Sequence, residues 1–67
     1  MNVSTFNDAK TAFYNSGWLD RFGEIETDRA ARFLRANASS NQIDEDEFNA
    51  LMERFAVEVV GWDKSDL

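Results

Sequence analysis

The stretch IDEDEFNALMERFAVEVVG, Ile43 to Gly61, decides the fold. Phe48, Leu51, Met52, Phe55 and Val59 fall at i, i+3, i+4, i+7 and i+11, which stacks five apolar side chains along one face of a helix. Asp44 is placed to cap it, its carboxylate accepting the free N–H groups of the first turn. Glu47, three residues on, can reach back to the cap amide, which makes a capping box with Asp in the Ser or Thr role. Ile43 before the cap and Phe48 at the fourth helical position are spaced for a hydrophobic staple. Gly61 can take the left-handed conformation that closes a helix, with Trp62 placed to fold back onto Val57. The pattern predicts a helix over 44–60.

Working toward the N-terminus, Asn37-Ala38-Ser39-Ser40-Asn41-Gln42 is polar and without periodicity, a loop of the length that joins antiparallel helices. Before it lies an apolar series, Trp18, Leu19, Phe22, Ile25, Ala30, Phe33 and Leu34. Asp20 can cap a helix over 20–36, but Gly23 in its first turn costs about 1 kcal/mol against alanine. The competing reading is a short turn at 18–23 followed by a helix capped at Thr27; the preferred one is a continuous or barely broken helix. The first helix is predicted over 5–15. Thr5 and Asp8 form its capping box, Phe6, Ala9 and Phe13 its stripe, widened by Ala12 and Tyr14, and Gly17 its end. The tail after Gly61 is short, charged and expected to fray. The fold class is all-α, a single domain over 1–67 built as a small three-helix bundle with, at most, an extra turn at 18–23.

Composition agrees with a folded domain of minimal size. A chain of 67 residues buries only about 60% of its unfolded surface. Six Phe, two Trp and one Tyr compensate, since each fully buried ring contributes roughly 1.5–3 kcal/mol. The beginning of the sequence has neither a basic start nor an apolar run, so no signal peptide or membrane span is expected. The triplets Asn2-Val3-Ser4 and Asn37-Ala38-Ser39 are then chance matches to a glycosylation site. There is no Cys and no His, which removes disulfides, thiolate nucleophiles, imidazole general bases and the usual zinc ligands. No glycine-rich phosphate loop is present. Catalysis and cofactor binding are not expected.

Thirteen acidic residues stand against seven basic ones, a net charge of −6. Phosphate backbones and anionic membranes repel such a chain, whereas a basic protein surface attracts it. Asp44, Glu45, Asp46 and Glu47, with Glu53 and Glu58 further along, could imitate phosphates in a nucleic-acid-binding groove; helix-dipole and solubility effects alone also account for them. In bulk properties the chain resembles the small acidic proteins of phages and mobile elements that block such grooves. Arg29, Arg32 and Arg35 recur every three residues with Arg21 upstream, a basic stripe that either meets a carboxylate-rich partner or pairs locally, as Asp28 could with Arg32. Ala50, Val57 and Val60 lie partly outside the main stripe of the last helix and offer either a second internal contact or a dimer interface.

Two short stretches resemble segments of known families. Asn41-Gln42-Ile43-Asp44-Glu45-Asp46-Glu47-Phe48 resembles the second half of an EF-hand loop, which implies a bidentate calcium ligand at Glu47 and a loop-pairing residue at Ile43. In that register Ala36 opens the loop, and Ala38 and Ser40 stand where the family places carboxylates or Asn. Val59-Val60-Gly61-Trp62-Asp63 is similar to a segment of phage tail-assembly chaperones. A weaker internal echo links Ser16–Asp20 to Ser40–Asp44, two similar helix entries. The functional expectation is a cytoplasmic, non-enzymatic, acidic protein-binding module. It would act as an inhibitor or adaptor of a larger protein, as a monomer or homodimer, without cofactor, metal or direct nucleic-acid contact. The alternatives are a degenerate EF-hand-like structural module or a phage assembly accessory.

Overall fold

The computed structural model describes residues 3, 5–39 and 42–67. They form three helices: α1 (Phe6–Ser16), α2 (Trp18–Asn37) and α3 (Glu45–Phe55). α3 runs on into a π turn over Ala56–Val60, and a 3₁₀ turn follows at Lys64–Asp66. The all-α three-helix reading holds, and no described helix is long and apolar enough to cross a membrane.

The N-caps of α1 and α3 are where the sequence places them. The Thr5 hydroxyl accepts from the Asp8 amide at 3.1 Å, and Asp44 Oδ1 accepts from the Glu47 amide at 2.7 Å. Ile43 and Phe48 are both buried, as a staple requires. α1 closes at Gly17 with φ 85°, and the Ser16 hydroxyl bridges the junction by donating to the Phe13 carbonyl and accepting from the Trp18 amide.

α2 is the barely broken helix, and the break falls at Gly23, whose φ of 77° and ψ of 175° interrupt the helical path. Neither Asp20 nor Thr27 serves as a cap. Gly17 precedes α2, and the buried Thr27 hydroxyl donates back to the Gly23 carbonyl at 2.6 Å. The kink changes which side chains face inward. Ile25, expected in the core, is 78% exposed, while Trp18 and Phe22 before the kink are buried.

Phe22 is the centre of the core. Its ring meets Phe13 at 6.5 Å, Trp18 at 5.2 Å in a stacked arrangement, Phe55 at 5.3 Å edge-on and Trp62 at 5.0 Å. Phe13–Phe48 and Phe33–Phe55 contacts extend the array at 5.4 and 5.5 Å, so every helix contributes rings to one cluster. Such pairs add about 0.5–1.5 kcal/mol each beyond area burial. Val3 is buried in the same cluster, and Tyr14, expected to widen the α1 stripe, is 56% exposed.

The π turn accounts for the other departures. The amides of Gly61 and Trp62 both reach the Ala56 carbonyl, the second at 2.9 Å. A turn widened in this way advances the inward position by one residue. Val60 therefore packs on the core, and Val59 is 40% exposed. Trp62 closes the helix one residue earlier than expected, through Ala56 rather than Val57, with its ring against Phe22.

At Gly23 a Cβ would meet nothing within 4 Å, so any cost of substitution comes from backbone strain. Gly23→Ala is expected to destabilise the fold by about 1–3 kcal/mol, because an L residue avoids this φ and ψ. D-Ala at the same position, for which the conformation is the mirror of extended backbone, is expected to preserve stability. Urea unfolding midpoints of the two proteins check this, and equal loss in both would refute it.

Candidate interaction surface

The acidic run sits at the start of α3. Asp44, Glu45 and Asp46 are exposed, and none of them forms an ion pair within the described residues. Glu47 is set apart. Its Oε1 accepts from both the amide and the hydroxyl of Ser39, so it fastens the end of the α2–α3 connection and does not close a capping box on Asp44. This is the residue at the ligand position of the EF-hand-like half-motif. Among the described residues no three acidic side chains converge as a metal site would require; Ser40 and Asn41 of that loop lie outside them.

The arginines do not form a common stripe. Arg29 pairs with Glu26 at 2.8 Å, Arg32 lies over the Phe6 ring at 5.6 Å, and Arg35 is exposed without an ion pair among the described residues. The expected Asp28–Arg32 pair is replaced by a bridge from Asp28 to Lys10 at 3.1 Å, which ties α2 to α1. At these exposures each bridge contributes no more than about 1 kcal/mol. The Arg21 guanidinium lies over Trp18 at 4.4 Å and Trp62 at 5.3 Å, and its Nη2 reaches the Asp66 carbonyl at 3.5 Å. It joins the kinked part of α2 to the tail.

Ala50, Val57 and Val60 divide. Val60 belongs to the core, whereas Ala50 and Val57 line an open groove of about 410 Å³ with Glu53, Arg54, Glu58, Lys64 and Leu67. Glu53 is thus part of the groove rim and not of the acidic first turn. The tail forms the opposite wall of the groove, with Leu67 39% exposed. A second hollow lies between the end of α1 and the start of α3, lined by Ala12, Asn15, Ser16, Glu45, Phe48 and Asn49, and holds a single carboxylate.

Two contributors escaped sequence reasoning. Asn49 Oδ1 accepts from the Trp18 indole at 3.0 Å, a bond between residues far apart in the chain that no local pattern announces. Leu67 gave no signal because it sits beyond the last periodic residue. Comparison with family models, with curated proteins and with solved structures finds no match.

The groove's tail wall is shaped by Asp63, whose carboxylate accepts from the Ser65 amide and hydroxyl, both at 3.0 Å. These bonds, the backbone one foremost, hold its carboxyl below the ordinary value of 3.8. A lowered folded-state value means the turn is supported above the ordinary carboxylate range and loses that support as pH falls through the lowered value. Ser65→Ala removes one of the two donors, so the Asp63 carboxyl is expected to titrate closer to 3.8. Side-chain carboxyl shifts followed by NMR from pH 7 downward read this directly; an unchanged midpoint would assign the whole effect to the backbone amide.

Proposed function

We propose that this chain is a non-enzymatic binding module that docks the acidic first turn of α3 on a basic surface of a larger protein. The supporting observation is the state of Asp44, Glu45 and Asp46: three consecutive exposed carboxylates with no ion pair among the described residues, on a turn held fast at both flanks. Asp44 holds the Glu47 amide, Glu47 holds Ser39, and Ile43 and Phe48 are buried on either side. The charges are therefore presented at fixed spacing, which lowers the ordering cost on association. In a chain of net charge −6, the same turn would also steer encounter with a basic partner. A nucleic-acid-binding protein is the partner class that such spacing suits best, and a role as inhibitor or adaptor follows from occupying its groove.

The test is affinity capture from source or host extract with the wild type and with a D44N/E45Q/D46N variant. Asn caps a helix as well as Asp, so the variant keeps the fold while losing three charges. The expected result is a stoichiometric protein partner held by the wild type, released by salt, and bound at least tenfold more weakly by the variant. No such partner, or equal capture by both proteins, refutes the reading.

A further inference from the structure

The groove on the outer side of α3 differs electrically from the rest of the chain. Its rim carries Glu53 and Glu58 against Arg54 and Lys64, so it is locally neutral in a protein of net charge −6. Two copies of so acidic a chain repel least where such faces meet. We propose that this groove is a self-association surface, through which two copies pair antiparallel about a two-fold axis passing between Glu53 and Arg54. The proposal uses a different set of residues from the acidic first turn and does not rest on the function proposed for it.

Charge order along α3 selects this arrangement. A two-fold contact places the same patch on both sides. With the helices antiparallel and the axis between residues 53 and 54, Glu53 faces the second copy's Arg54 and Arg54 faces its Glu53. Ala50 is set against the second copy's Val57, a small side chain opposite a branched one, which lets the helices approach closely. A parallel pairing would set like charge on like. Arg54 can take part while keeping its present neighbours: it lies over the Phe33 ring at 5.6 Å, its contact with Glu58 is 3.5 Å long, and both charged side chains are more than half exposed. Its guanidinium carries further N–H donors. A contact confined to one helix pair is smaller than a permanent dimer interface, so the association is weak and exchanges rapidly.

Analytical ultracentrifugation of the full chain from roughly 10 µM to 1 mM tests this, a range suited to weak complexes. The wild type is expected to shift from monomer toward dimer as concentration rises. Glu53→Arg and Arg54→Glu, each made alone, convert both central contacts to repulsion. Each should raise the dissociation constant about tenfold or more. An equimolar mixture of the two variants should associate again, because paired arginines then face paired glutamates. That recovery also shows both variants to be folded. If either variant fails to fold, wild-type amide shifts on dilution decide, with changes expected at Ala50 and Val57. A wild type that stays monomeric throughout, variants that associate like the wild type, or a mixture that does not recover would each overturn the proposal.

Discussion

The structure depends on the position of one ring. Phe22 contacts Phe13 of α1, Trp18 of its own helix, Phe55 of α3 and Trp62 of the tail, so it is the point through which all segments meet. It stands immediately before Gly23, whose φ of 77° redirects the chain. A straight helix through this region would carry Trp18 and Phe22 on a path fixed by the later residues of α2. The glycine uncouples the two, so the N-terminal part of α2 can aim its rings between α1 and α3 while Ala30, Ala31 and Leu34 pack from the other part. A domain this small has a folding free energy of only about 3–10 kcal/mol by the usual per-residue scale. A shared ring cluster is thus a large fraction of what holds it together.

Much of this was legible in advance, and the parts that were not share a cause. Several local signals hold: the caps at Thr5 and Asp44, the staple of Ile43 and Phe48, and closure at Gly17 and Gly61 each depend on residues within one turn, whereas the expected caps of α2 at Asp20 or Thr27 do not form. Periodicity fails at Ile25 and Val59, where the helical period itself changes, and at Tyr14, on the margin of the α1 stripe. Ile25 is expected inward whether or not the helix breaks near Gly23, and the kink turns it outward; Val59 is expected inward at the regular spacing, which the π turn does not keep. Gly23 did signal weakness, although not its consequence for register. No comparable signal marks Ala56–Val60, where the wide turn lets Val60 reach the core while Trp62 reaches Phe22.

The polar surface was harder to read, for a different physical reason. Long side chains choose partners by tertiary proximity, which spacing along one helix does not encode. Asp28 had a helical neighbour in Arg32 and took Lys10 of α1. Glu47 had the geometry of a capping box and took Ser39 across the connection. Arg32 and Arg21 went to aromatic faces, where a guanidinium covers apolar surface and keeps its charge in water. A basic stripe visible in sequence is dispersed into separate local contacts, while the acidic run, confined to one turn, stays together.

That contrast bears on what the surface can do. Arg29 and Arg54 each have a carboxylate beside them on the same stretch of helix, and Arg21 and Arg32 lie over rings. Among the described residues no cation pairs with Asp44, Glu45 or Asp46, and the amides of their own helix supply a partial positive charge of roughly half a unit at the N-terminus. Three carboxylates exceed what that end can balance, and the excess is directed outward from a turn that the staple prevents from shifting. The groove between α3 and the tail is the reverse case, apolar at its base and balanced at its rim. The two surfaces therefore favour different occupants, the first a cation-rich surface and the second one as neutral as itself. Both involve α3, which Asp44 caps at its start and which closes at Gly61 through the Ala56 carbonyl, so binding at either would call for little rearrangement of the ring cluster beneath.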